Sequence, residues 1–551
     1  MKKLFPLFLV FTAIAIATVT RFYLLGIAPA GLYLDEAGQG YSAYSILKTG
    51  KDEFGKAFPI VFRSFTDFKT PIYIYLIVPL INIFGLTKFT VRFPSFFFSI
   101  LTFPILYFLI KEITDKKIST VVAVTTSFLF AISPWHILFG RTNFECNVAL
   151  FFFLTGVLLF YKALKRPYLL MLSAVFFAIA IPAYHAQRII TPLMLLALFF
   201  RYKSTLLTKT HFKYLIIGCI LGLIISLPTL SIANSSGFLA RASGLNIVSH
   251  SRQKPAGYLE DYQGLLSPIV NSSLLLTTRE FLALYLSYFS PRNMFILGDS
   301  GLRSSFPELS TFFLWQFPFY IYGLYLLVKR KDLGELKFFT LALLLISPLP
   351  ASLTRDPYST IRSLQMVIPQ NLVIGLAIAD VYHRLTKTKK LIFYTVSLLV
   401  IIYSLAKLYS SVIVLNEYYR GQLWNYGWEE AIQTINTLNK NLPIIVDNSR
   451  DEPYIHLLFF LKYDPAKYQQ DNNEVKESEY YTNMANDKEK QIGMIVTRSI
   501  NWEKDLLQEQ YLIGDELAIS VGQIKEHNLT LIKEIKYPDG NVALRITKTN
   551  P

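Results

Sequence analysis

Charge and cysteine are scarce in this chain, and each scarcity narrows what it can be. Only 17% of the 551 residues are Asp, Glu, Lys or Arg, against 52% hydrophobic. That balance, laid out in long apolar runs, excludes a soluble globular protein of this size. The two cysteines, Cys146 and Cys219, sit in or beside apolar segments, and the polar C-terminal region has none. Disulfides therefore do no structural work, and there is no thiol cluster for a zinc or iron–sulfur site. No glycine-rich phosphate loop occurs in the polar region, so nucleotide binding there is unsupported. Nor is there an internal repeat of the kind many transporters carry. The net charge of +16 invites a nucleic-acid reading, but Lys and Arg fall mostly between apolar runs, where membrane topology accounts for them.

What is present is a polytopic α-helical membrane protein. Apolar runs of spanning or near-spanning length occur near 4–26, 93–110, 118–135, 147–164, 168–183, 189–200, 214–231, 309–328, 338–352, 364–382 and 391–414. Met1-Lys2-Lys3 before Leu4–Thr20 resembles a signal peptide, yet the apolar stretch is long, and it reads as a retained first helix. The run from Pro71 to Leu86 could span or lie in the interface, and parity decides. If it does not cross, the loops KEITDKK (111–117), KALKR (162–166), RYKSTLLTKTHFK (201–213), KRKDLGELK (329–337) and RLTKTKK (384–390) all share the side of the N-terminus. Lys and Arg in short loops mark the cytoplasmic side. The expectation is therefore about eleven spans, N-terminus inside, C-terminus outside, and an interfacial helix over 71–86.

This topology gathers the candidate chemistry on the outer face. The first outer loop (27–92), the loop 232–308 and the shorter links hold Asp35, Glu36, Lys69, Arg141, Glu145, His185, Arg188, Asp299, Arg303, Arg355 and Arg362. After Tyr418 the composition turns soluble. Leu442–Val446 and Ile492–Val496 read as strands, Tyr454–Lys462 as a helix, and Leu529–Thr549 as a hairpin around Asp539-Gly540. The expected domains are residues 1–414, a membrane part carrying the catalytic residues, and residues 415–551, a small α/β domain outside. Aromatics in Tyr418–Arg420 and Trp424–Trp428 could stack on sugar rings, or form the belt that follows a last span.

Leu34-Asp35-Glu36-Ala37 stands just past the first span, where paired carboxylates are costly and usually serve chemistry or ion transport. Asp35 stands where a helix N-cap would be, and a cap is its bland explanation. The sharper one is a general base that takes a proton from an acceptor hydroxyl or amine. Lys69, before Thr70-Pro71, could snorkel or hold a lipid-linked phosphate. Arg141 with Glu145, and Tyr184 and His185 with Arg188, add cations that could anchor at the interface or clamp an anion.

These residues resemble a family. Leu34-Asp35-Glu36-Ala37, then Phe68-Lys69-Thr70-Pro71-Ile72-Tyr73, then Val91-Arg92-Phe93-Pro94-Ser95 follow the order found in glycosyltransferases of the GT-C fold. They are most similar to the branch with protein O-mannosyltransferases (glycosyltransferase family 39) and aminoarabinose transferases. Ser133-Pro134, Gly140-Arg141 and Glu145 resemble that family's second outer loop, and the likeness continues weakly through Leu297–Asp299 and Pro350–Arg362. Thr70 stands where a first proline is common, and Glu145 where many relatives carry Asp. The resemblance implies a polyprenyl-phosphate-linked sugar donor, an unidentified acceptor, and an inverting single displacement. It implies Asp35 as base with Glu36 beside it, and Lys69 with Arg141 or Arg188 on the donor phosphate. Glu145, Tyr184, His185 and Arg362 would support them. Some members use a divalent metal held by such carboxylates, so Mg²⁺ or Mn²⁺ is compatible, although nothing in the sequence requires one. The home would be a prokaryotic plasma membrane, with membrane lipids and not nucleic acid as partners.

The rival from another class is a transporter or lipid flippase. It calls for ionisable groups within spans and for helices broken at mid-membrane, whereas here the charges gather outside. A surface-assembly protein merely anchored by its helices would not need so many spans. The topology carries its own test. A cysteine placed in 384–390 should resist a membrane-impermeant thiol reagent in intact cells, and one near 480 should label; the reverse pattern would overturn the parity assignment.

Overall fold

The computed structural model describes residues 5–65, 67–235, 272–354, 357–472, 475–482 and 489–551. The basic start Met1–Lys3, residues 236–271 of the 232–308 loop and Arg355 lie outside the described residues. Among those described, seven helices are long and apolar enough to cross a membrane: Lys88–Ile113, Glu145–Ala163, Gln187–Leu206, Lys209–Ser231, Gly334–Ser352, Leu364–Arg384 and Lys387–Arg420. Ser119–Ala131 and Pro134–Arg141, bent by 58° at their junction, make an eighth if taken as one span. Of the other expected spans, the first and the fifth are shorter apolar helices, Pro6–Phe22 and Leu169–Ala183. The run at 309–328 becomes an α-helix only from Phe317. Pro71–Phe84 is a helix too, with Thr70 at its N-cap and Pro71 in its first turn.

By its contacts the chain forms two compact units, residues 1–23, 95–234 and 239–411 in the first and residues 24–94, 235–238 and 412–551 in the second. The first unit is the helical bundle. Its centre is Leu364–Arg384, 83% buried, whereas Lys209–Ser231 is only 11% buried and presents Ile216, Ile220, Leu223 and Leu227 outward as lipid-facing surface. Glycines let the central helix be approached closely. A Cβ at Gly323 would lie 2.1 Å from the Val373 carbonyl oxygen, and one at Gly375 would lie 2.4 Å from the Thr126 hydroxyl. Small residues at such crossings suit membrane helices, whose association relies on packing rather than on water.

In the second unit the first outer loop folds together with the C-terminal region, although the sequence divides them at residue 415. The loop contributes the helix Leu34–Thr49 and an antiparallel hairpin of β1 (Phe62–Ser64) and β2 (Asp67–Lys69). The C-terminal region builds a six-stranded sheet from β3 (Ile444–Val446), β4 (Lys490–Ile492), β5 (Ile495–Thr497), β6 (Tyr511–Gly514), β7 (Thr530–Lys536) and β8 (Val542–Lys548). Their order is β4-β5-β3-β6-β8-β7, with β3 parallel to β5 and β6 and the remaining pairs antiparallel. Ile445, Leu512, Ala518, Ile519 and Leu529 pack as one core cluster of this region. The run expected as one strand over 492–496 is a tight hairpin turning at Gly493, and β6 has no counterpart in the sequence reading. Trp424 and Trp428 are buried at 2% and 6% exposure, so they are core residues and neither a sugar platform nor a belt. Tyr418 and Tyr419 are the exposed aromatics of that stretch.

Hydrogen bonds join loop and C-terminal region. The Tyr41 hydroxyl donates to the Tyr463 carbonyl at 3.1 Å, and Gln469 Nε2 donates to Ser45, Thr49 and the Asp52 carbonyl at 2.8–3.1 Å. The Tyr480 hydroxyl donates to the Asp52 carboxylate and accepts from the Arg63 amide at 2.9 Å. Burial pushes the Asp52 carboxyl up to about 6, against the lowering effect of its hydrogen bonds from Tyr480, Lys56 and Phe54 and of the Arg63 charge. Glu53 beside it is raised well above the ordinary carboxylate range by burial and by the Asp52 charge. A folded value above the unfolded one makes the folded form bind the proton more tightly. Its stabilising effect is full below the ordinary 3.8 and is lost as pH rises through about 6. Hydrogen exchange of residues 50–64 should therefore quicken across that window. In Asp52→Asn, whose amide can accept from Phe54 and Lys56 and donate to Tyr480, the quickening should flatten.

Candidate active site

The acidic pair sits at the start of the Leu34–Thr49 helix. Tyr33, with extended backbone at φ −62° and ψ 148°, is the N-cap, and the Glu36 carboxylate reaches back to accept from the Tyr33 amide at 3.2 Å. The cap therefore lies two residues before Asp35, where Glu36 at the third helical position supplies the carboxylate half of a capping box while the Tyr33 side chain makes no cap bond. This corrects the expectation that Asp35 itself occupies the cap.

The two neighbouring carboxylates have different surroundings. Glu36 is 2% exposed and bound by the fully buried Arg92, with Nε to Oε1 at 3.0 Å and Nη2 to Oε2 at 2.8 Å. Arg92 also donates to the carbonyls of Gly31 at 2.7 Å, Pro29 at 2.9 Å and Leu25 at 3.4 Å, so each of its nitrogens is engaged. Breaking a buried pair of this kind costs about 3–5 kcal/mol, because the surviving charge is left desolvated. Asp35 is turned the other way and keeps 31% of its side chain exposed, with Lys69 Nζ at 2.9 Å from its Oδ2. Lys69, 8% exposed, ends β2 and lies 3.8 Å from Asp67, two residues earlier and on the same face of the strand. The structure thus brings together Asp35, Glu36, Lys69 and Arg92: one accessible carboxylate, one buried ammonium, and a buried pair behind them.

The remaining expected site residues belong to the bundle unit. Arg141 ends the helix Pro134–Arg141, is 2% exposed, and donates to the Thr20 carbonyl at 3.0 Å. Glu145 opens the helix Glu145–Ala163. Tyr184 and His185 lie in the link between Leu169–Ala183 and Gln187–Leu206, and Arg188 is in the first turn of the latter. Arg362 donates to the Thr354 hydroxyl at 2.8 Å. Asp299 accepts from the Thr360 amide and hydroxyl and from the Gly301 amide at 2.6–2.7 Å, a set of bonds that ties one loop to another.

Three polar residues of the bundle, Arg21, His136 and Asn147, escaped the sequence reading. Arg21, fully buried, donates to the carbonyls of Ala131 at 2.9 Å and Phe130 at 3.0 Å, and lies 2.9 Å from His136 Nδ1. An arginine there can only donate, so Nδ1 accepts, and the ring proton sits on Nε2, donating to Asn147 Oδ1 at 2.9 Å. Asn147 in turn donates to the Ser95 carbonyl at 2.7 Å. An arginine within an apolar run was the available signal.

The fold is similar to that of membrane glycosyltransferases of the GT-C fold, as the order of the motifs leads one to expect. It matches ArnT from Cupriavidus metallidurans, solved with undecaprenyl phosphate, at a TM-score of 0.51 and 11% identity over 98% of this chain and 99% of that one. Residues 68–232 match the sequence profile of the dolichyl-phosphate-mannose-protein mannosyltransferase family. The Archaeoglobus fulgidus oligosaccharyltransferase AglB, solved with an inhibitory peptide and a dolichol-phosphate, aligns at a TM-score of 0.49 and 14% identity over 83% of this chain. The chain spans 64% of that oligosaccharyltransferase's length. No curated protein matches by sequence.

Among the described residues no group of three or more His, Cys, Asp or Glu side chains is placed to hold a metal ion. Asp35 and Glu36, the carboxylates the sequence offers for Mg²⁺ or Mn²⁺, each face a cationic side chain instead. The donor set does not fit a resident metal, and no step proposed for the chain is routed through one.

If Lys69 serves the donor and is not just a buried counter-ion, Lys69→Ala should raise the apparent KM for a polyprenyl-phosphate sugar more than tenfold. An unchanged donor dependence in steady-state assays would reduce it to a structural partner of Asp35.

Proposed function

We propose that the chain is a membrane glycosyltransferase that moves a sugar from a polyprenyl-phosphate donor to an acceptor on the outer face of a prokaryotic plasma membrane. The observation that carries the reading is the pairing of a partly exposed Asp35 with a buried Lys69 at 2.9 Å, in a chain that shares its fold with a transferase solved with undecaprenyl phosphate. The carboxylate can take a proton, and the ammonium stands where negative charge can be met.

In the proposed reaction the acceptor hydroxyl gives its proton to Asp35 as its oxygen bonds to the anomeric carbon of the donor sugar. The bond from that carbon to the phosphate oxygen breaks on the opposite side, and polyprenyl phosphate leaves with the electron pair. One displacement of this kind inverts the anomeric configuration. Charge grows on the phosphate as it leaves, so a fixed ammonium stabilises the transition state more than the ground state. Lys69 fills that role. Glu36 is a positioning residue, since its buried salt bridge with Arg92 fixes the helix turn that presents Asp35. Arg141 and Arg188 are proposed as further phosphate ligands, with Glu145, Tyr184, His185 and Arg362 around them, on the strength of the sequence resemblance. The positive-inside pattern of the loops supports the outer placement.

Purified protein in detergent, given radiolabelled polyprenyl-phosphate hexoses, should form labelled product or release lipid phosphate. Asp35→Asn should lower turnover by roughly 10²- to 10⁴-fold, the usual worth of a general base, with donor binding retained. Full turnover in that variant would remove Asp35 as the base.

A further inference from the structure

The start of the acidic helix is held from far along the chain. The Leu34 amide, which a helix leaves without an intrahelical partner, donates to Asn425 Oδ1 at 3.3 Å. Asn425 sits in the left-handed region at φ 50° and ψ 46°, a conformation asparagine tolerates better than most residues. Its Nδ2 donates to Asp451 Oδ2 at 2.7 Å, and Asp451 Oδ1 accepts from the Glu452 amide at 2.9 Å. Both ends of the Asn425 amide are thereby committed, and its orientation is fixed.

The neighbouring residues reinforce the contact. The Trp424 carbonyl lies so near Gly31 that a Cβ there would come within 1.7 Å of its oxygen, so only glycine fits. The Trp424 ring lies 5.9 Å from the Arg92 guanidinium and packs edge-on against Tyr33 at 6.4 Å. Lys88 adds a second tie, donating to the Ala30 carbonyl at 3.1 Å and to Glu429 at 2.6 Å. Residues 30–34 are thus gripped on one side by Arg92 and on the other by residues 424–429.

We propose that Asn425, oriented by Asp451, is a positioning residue for Asp35: it fixes where the acidic helix begins and so where the Asp35 carboxylate points. The proposal rests on the reading of Asp35 as the base. It gives the C-terminal region a part in the chemistry without placing any of its atoms on the substrate.

The hydrogen-bond directions permit a reciprocal test. Asn425→Asp sets two carboxylates face to face. Asp451→Asn must keep an oxygen towards the Glu452 amide, which turns its NH₂ onto that of Asn425. In the double variant Asn425→Asp/Asp451→Asn the pattern is restored, with residue 425 accepting from Leu34 and from the new amide at 451. Each single variant should lose roughly ten- to hundredfold in kcat, as slight misplacement of a catalytic group does, with donor KM within about twofold of wild type. Exchange of the amides of residues 34–37 should quicken in parallel, and the double variant should recover both. Wild-type kcat per folded molecule in the single variants would overturn the proposal, as would a double variant no better than the singles. A wild-type chain that binds the lipid phosphate but never turns it over would instead sink the role of Asp35, and the exchange measurement would still decide whether Asn425 holds the helix start.

Discussion

The buried pair of Arg92 and Glu36 governs the local structure around the acidic helix. A guanidinium with no exposed surface must satisfy all its donors within the protein. Arg92 does so with one carboxylate and the carbonyls of Leu25, Pro29 and Gly31, which fixes the chain that enters the helix. Once Glu36 is committed inward, the helical turn sends Asp35, the adjacent residue, in another direction, where Lys69 meets it. Two acids adjacent in sequence thus receive different surroundings, Glu36 as a buried strut and Asp35 as a partly exposed carboxylate beside an ammonium, the one to which the proposed reaction assigns the proton. Environment separating the duties of like residues is a recurring device of acid–base sites.

The bundle solves a related problem with different means. Arg21 takes up the carbonyls of Phe130 and Ala131, in the last turn of Ser119–Ala131 just before the chain bends by 58° into Pro134–Arg141. A bend at a proline strips carbonyls of their intrahelical partners, and in an apolar setting these need donors from elsewhere. The guanidinium supplies them. Through His136 and Asn147 the same network reaches Ser95, linking the bend to the helix Lys88–Ile113.

The membrane class, most of the spans, the helix over 71–84, the C-terminal hairpin and the candidate acids were all legible in the sequence, because each depends on local pattern: apolar length, a turn dipeptide, or charge beside an apolar run. The start of the acidic helix was misplaced because its cap is made by Glu36 reaching backward and by Asn425, and the latter contact has no local signature. Trp424 and Trp428 looked like interface residues, since position after a span was the only guide; their burial, Trp424 against Tyr33 and Arg92 and Trp428 on His456, decides otherwise. The sequence boundary at 415 followed a change in composition, which reports solvent exposure and not which segments share a core. Arg21 went unread because a single arginine at the end of an apolar run resembles an ordinary anchor.

The separation between Leu34 and Asn425, 391 residues apart along the chain, has a consequence for biosynthesis. The first outer loop leaves the ribosome early, but its partners Asn425, Tyr463, Gln469 and Tyr480 are made late. Throughout insertion of the intervening helices the loop must wait with its buried polar groups, Asp52 and Glu53 among them, still wet. Non-local pairings of this kind form late and slowly. A molecule cut short before residue 425 would carry every residue of the acidic helix and its Arg92 partner and still lack the Asn425 contact at its start. The start of the acidic helix is thereby completed only once the chain has been made beyond residue 425.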